Sequence, residues 1–144
     1  MRSCLVDINV MLALLASNHA QHSQARKWFA GCAKGEIGIC RYVQLGVIRL
    51  LNSPAVMQSS AISGFAAFRI IHELIELDER VEFVADHPEI DSFFPGCLSQ
   101  PLPAAKAVND AFLAAFALAA KRRLVTFDGG FKNFKNLDLA LLET

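Results

Sequence analysis

The feature that most limits what this chain can fold into is an alternation between short apolar segments of strand character and longer segments of helical period. "CLV" at 4–6, "IGIC" at 37–40, the alternating "VEFVA" at 81–85, "LVTF" at 124–127 and "DLALL" at 138–142 read as strands. Between them lie helical spacings. Val10, Leu12, Leu14 and Leu15 begin one; Ala25, Trp28, Phe29 and Cys32 mark a second that Gly35 should stop. Val43, Val47, Leu50 and Leu51 share a face of a third, which ends at Asn52 before Pro54. Ile62, Phe65, Phe68, Ile71, Leu74 and Ile75 mark a fourth, and "VNDAFLAAFALAAKRR" is a strongly apolar fifth opening at Asn109 or Asp110. Residues 86–106, with Pro88, Pro95, Pro101 and Pro103, read as loops with at most a short helix. Parallel strand pairs need crossovers, usually helical, so strands separated by helices predict an α/β fold of three layers around a mostly parallel sheet.

At 144 residues, 53% of them hydrophobic, residues 1–144 are expected to form one domain with a sizeable core. Charged residues make up 19%, against about 25% in typical soluble domains, which leaves apolar surface for a partner. Lys plus Arg equals Asp plus Glu at 14 each, so any site for a polyanion must be local. Cys4, Cys32, Cys40 and Cys97 form neither a redox motif nor a zinc spacing and read as reduced core residues. The longest apolar runs fall short of a membrane span, and Asp7 and Asn9 interrupt what would otherwise resemble a signal peptide, so a cytoplasmic location is expected.

Asp7 stands in "SCLVDINVMLALL", an apolar run where burying a carboxylate is costly without compensation. As the residue ending the first strand, it should lie on the carboxyl edge of the sheet, where open α/β sheets bind ligands. Asp128 ends the "LVTF" strand and Asp110 opens the preceding helix, so both should reach the same edge. Each acid has a plain local role available: a helix cap for Asp7, a dipole partner for Asp110, a turn former for Asp128. Together they form a cluster of like charges that suits a divalent cation, Mg²⁺ or Mn²⁺.

"LVDINVMLALL" near the start and "VNDAFLAAFALAAKRRLVTFDGGF" near the end, about a hundred residues apart, resemble a PIN domain, in particular the VapC type of toxin endoribonuclease. The resemblance spans essentially the whole chain. It implies that Asp7, Asp110 and Asp128 are catalytic metal ligands, with Asn9 and Thr126 as polar supports. It further implies metal-dependent hydrolysis of RNA phosphodiesters, a cognate VapB-type antitoxin that docks an amphipathic segment, and a homodimer. One departure stands out: Gln44, in "RYVQLGVIR", occupies the place where many members carry Glu, which leaves the fourth ligand open.

Lys132 and Lys135, in "GGFKNFKN", and Arg41, beside Gln44, are the candidate substrate-binding cations. Phe131 and Phe134 could offer stacking surfaces or simply fill the core. "KRR" at 121–123 should lie on the opposite edge, at a helix carboxyl end. His19 and His22 lack a third ligand nearby. Two rivals remain: a phospho-receiver domain using Asp86, which lacks a strand-ending Lys, and a catalytically degenerate PIN-fold binding module whose Gln44 marks lost metal affinity.

Overall fold

The computed structural model describes residues 2–102 and 104–144, so Pro103 of the proline-rich stretch lies outside the described residues. Strands β1 (Cys4–Val6), β2 (Ile37–Cys40), β3 (Val81–Val84), β4 (Arg123–Thr126) and β5 (Leu139–Leu141) form a sheet in the order β3-β2-β1-β4-β5. Every pairing is parallel. The helices are α1 (Ile8–Leu15), α2 (His22–Ala30), α3 (Arg41–Leu51), α4 (Pro54–Met57), α5 (Gly64–Leu77), α6 (Ile90–Leu98) and α7 (Ala107–Ala120). α1 packs on α2 and α3, α3 packs on α5, and α6 packs on α7. Right-handed crossovers place the first group on one face of the sheet and the α6–α7 pair on the other, the expected three layers.

Burial on both faces explains why the central strands are continuously apolar: Cys4, Leu5 and Val6 are at most 2% exposed. α7 is buried on several sides, with consecutive residues Leu113 to Ala117 all in the core. Close approach demands glycine at two places. A Cβ on Gly46 would collide with Ile8, where α3 crosses α1, and one on Gly38 would come within 2.7 Å of both Arg122 Nη1 and Val84 Cγ2. All four cysteines are free, and three of them are buried. Among the described residues no helix is long and apolar enough to cross a membrane.

Several element boundaries differ from the sequence reading; β4, for one, runs Arg123–Thr126 and leaves Phe127 outside the strand. α2 ends at Gly31, not Gly35; Gly35 instead takes φ +69° in the turn leading to β2. α6 runs for nine residues through Pro95, which supplies no N–H to the helix ladder. Tertiary packing offsets that loss, since Ile90 and Cys97 are buried and Phe94 meets Phe112 of α7 edge-on at 5.6 Å. α7 begins at Ala107, so neither Asn109 nor Asp110 is its cap.

Candidate active site at the carboxyl edge

The chain leaves β1 for β2 and β3 on one side of the sheet, then returns to place β4 and β5 on the other. Strand order therefore reverses between β1 and β4. Open α/β sheets bind their ligands in the crevice that this reversal opens outside the strand carboxyl ends. Asp7 follows β1 directly, and Thr126 is the last residue of β4. The amide of Asp7 donates to the carbonyl of Val125 at 2.9 Å, which fixes the start of the α1 turn against the end of β4.

A polar network crosses this seam. Asp7, 8% exposed, accepts at Oδ1 from the Ile8 amide (2.7 Å) and at Oδ2 from the Thr126 hydroxyl (2.6 Å). The first bond makes Asp7 the N-cap of α1, so its capping role is real. The fully buried Thr126 Oγ1 also accepts from the Asp128 amide at 3.0 Å and, at a longer 3.4 Å, from Asn9 Nδ2. Asn9 Oδ1 accepts from the Phe127 amide at 3.3 Å. Thr126 and Asn9 thus tie Asp7 to the loop that carries Asp128.

The three carboxylates share one electrostatic neighbourhood. Burial, reinforced by the charges of Asp110 and Asp128, pushes Asp7 up to about 6 against the hydrogen bonds from Thr126 and Ile8. Asp110, half-buried in the first turn of α7, is raised by burial and by Asp128, and only Lys106 opposes this. Since α7 has no side-chain cap, Asp110 is not occupied in capping. Asp128 caps the 3₁₀ turn Gly129–Asn133 by accepting from the Gly130 amide at 2.8 Å, so its turn-forming role is present too.

The other candidates are scattered. Gln44 is 4% exposed, and its Oε1 accepts from Arg41 Nη1, so the amide oxygen that could have faced a metal is already engaged. The Arg41 guanidinium also lies 4.7 Å from the Phe83 ring centroid, on the outer strand β3. Lys132 is exposed in the 3₁₀ turn. Lys135 is not brought to the acids: it lines a groove with Cys97 and Leu118, eight residues and about 12 Å along α7 from Asp110. Phe131 and Phe134 are buried against each other as core residues, not stacking surfaces. His19 and His22 bond to nearby backbone, and Arg122 and Arg123 of the "KRR" run lie at the opposite edge, as expected.

Two neighbours of the acids escaped the sequence reading. Lys106, at the N-cap of α7, is four residues before Asp110, a helical spacing that could have identified it. Tyr42 is raised by burial and by the charges of Asp7 and Asp110, and its ring packs edge-on against Phe112 at 5.8 Å. Only the parallel-sheet topology brings Tyr42 to these acids.

Acids brought to the switch point of a parallel sheet mark the place where α/β proteins bind ligands. The chain belongs to the PIN domain family, whose model matches residues 4–137, and stands among the VapC ribonucleases. It is 32% identical to Ribonuclease VapC41 of Mycobacterium tuberculosis over 149 aligned residues, covering 96% of this chain and 97% of that one. Ribonuclease VapC44 of the same organism is 30% identical over 133 residues, covering 86% and 84%. Among solved structures, Mycobacterium tuberculosis VapC20, a toxin described as cleaving the sarcin-ricin loop, aligns with a TM-score of 0.65 at 19% identity, covering 90% of this chain and 93% of that one. VapBC2 from Rickettsia felis, bound to a DNA fragment of its promoter, gives 0.65 at 15% identity over 96% and 98%. The family and the parallel α/β fold expected from the sequence are both borne out.

Proposed function

We propose that this protein is a metal-dependent endoribonuclease, the toxin of a VapBC-type toxin–antitoxin pair. The observation that carries the reading is the gathering of Asp7, Asp110 and Asp128 at the β1/β4 switch point, where burial and neighbouring carboxylates disfavour the charges of Asp7 and Asp110. The donor set is all oxygen and acidic, which fits Mg²⁺ or Mn²⁺. Among the described residues no group of three or more His, Cys, Asp or Glu is already arranged around a point, so Asp110 and Asp128 would turn toward Asp7 to share an ion. Such an ion supplies Lewis-acid chemistry, activating water and neutralising charge on the phosphoryl oxygens. Asp7 holds its orientation through the Thr126 hydroxyl and the Ile8 amide, and Asn9 braces the Asp128 loop. Lys106 and Lys132 are the cations best placed to meet substrate phosphates near the acids.

An antitoxin partner and a homodimer belong to the same reading. VapBC complexes among the structural relatives support the first, and exposed Phe65 and Leu77 on α5 and Leu45 on α3 supply apolar surface for either. The engaged Gln44 oxygen favours a second reading, a PIN-fold binding module without catalysis. Cleavage of a mixed RNA pool by antitoxin-free protein separates the two. Activity with Mg²⁺ or Mn²⁺ that is lost both with EDTA and in Asp7→Asn supports the nuclease; no cleavage by folded protein with either ion supports the binding module.

A further inference from the structure

We infer that the amino end of α3 is a binding site for a backbone phosphate of the RNA other than the one at the acids, with Arg41 supplying charge and the Gln44 amide nitrogen a hydrogen bond. The inference rests on the ribonuclease reading above and gives Gln44 a role different from that of a metal ligand.

Three observations converge at this end of the helix. α3 is eleven residues long, and Cys40, which precedes it, forms no side-chain cap hydrogen bond, its buried neutral thiol lying beside the Tyr42 and Val43 amides of the first turn. Arg41 stands on that first turn, its guanidinium held over Phe83 and forming no ion pair among the described residues. Gln44, three residues on, is the independent feature: a side chain 96% removed from solvent whose Nε2 has no protein partner among the described residues. That nitrogen is not sealed in, because no buried side-chain nitrogen or oxygen there lacks a partner.

Geometry directs the free donor. Helical side chains lean toward the helix amino end, and the bond between Oε1 and Arg41 brings the carboxamide to the first turn. A guanidinium can only donate, so the group facing it is the oxygen, and the nitrogen is left for another acceptor. Arg41 and Gln44 together carry a positive charge and an unused donor where Glu would carry a negative charge. That arrangement repels a cation and receives a phosphate. Asp86, which follows β3 and acts on Cys40, is the acid that opposes it. β2 is about 4.8 Å from β1 in the sheet, and Arg41 leans outward to β3, so the phosphate held here is displaced along the RNA from the one at Asp7.

The test measures binding without metal, where cleavage and ion binding play no part. A single-stranded RNA pool of mixed sequence, dephosphorylated at its ends, is titrated in EDTA against unsubstituted protein, Gln44→Glu and Arg41→Gln, over a range of salt. The exposed Arg41 can be replaced without disturbing the core, and circular dichroism checks both folds. Gln44→Glu, which adds a charge opposed to phosphate, is expected to weaken binding about tenfold. Arg41→Gln is expected to weaken it several-fold and to lower the slope of log affinity against log salt by about 1. Unchanged binding in both variants overturns the site, as does a Gln44→Glu protein that binds RNA normally and takes up Mn²⁺ more tightly. Failure of the unsubstituted protein to bind or cleave RNA would remove the ribonuclease reading and this site with it.

Discussion

The two edges of the sheet treat charge in opposite ways. At the amino edge, cations are matched with acids: Arg122 bonds the Cys4 carbonyl and pairs with Glu82, while Arg123 and Arg2 both pair with Asp138. At the carboxyl edge, Asp110 and Asp128 lie near enough to raise Asp7, and Asp128 raises Asp110, with only Lys106 opposing the rise of Asp110. The first arrangement supports folding. The second costs stability, and such local conflicts are expected where a protein binds or reacts.

If that contrast is right, substitutions at the two edges have different consequences. The largest falls on catalysis: Asp7→Asn should lower RNA cleavage by about a thousandfold or more, because removal of one charged ligand forfeits several kcal/mol of transition-state stabilisation. Next is the metal-free pH profile. Folded protein holds the Asp7 proton up to about 6, whereas an unperturbed Asp loses it near 3.8. The native state therefore binds more protons between these values, and stability falls as pH rises through them, by about 2–3 kcal/mol. Asp110, also raised, adds to the same trend. Urea unfolding in EDTA should record the fall, with a smaller one in Asp7→Asn. A flat profile would remove the conflict attributed to this edge.

The smallest effect lies at the amino edge. Arg122→Ala removes a side chain that bonds both Cys4 and Glu82 and should cost about 1–2 kcal/mol while leaving RNA cleavage unchanged. A loss of cleavage without a loss of stability would contradict the division between the edges.

The central strands were legible because they are covered on both faces and read as apolar runs, "IGIC" matching β2 residue for residue, whereas the outer β3, half exposed, was read from its alternation. α6 was not legible, because Pro95 and the residue before it argue locally against a helix that contact with α7 sustains. Asp7, Asp110 and Asp128 could be assigned to one edge from strand and helix order alone. The state of Gln44 could not, since engagement of its oxygen by Arg41 depends on side-chain direction. Lys135 follows the same lesson: closeness to Asp128 in sequence did not survive the turn at Gly129–Asn133, which carries the chain away toward Leu118.

The central claim is that the acids at the β1/β4 switch point are gathered for a divalent cation. The most direct measurement is the melting temperature at neutral pH as Mn²⁺ is added, for unsubstituted protein and for Asp7→Asn. Binding to the folded state alone stabilises it by mass action, so the unsubstituted protein should melt progressively higher with Mn²⁺ while Asp7→Asn stays near its own starting value. The same rise in both proteins, or none in either, would contradict the account.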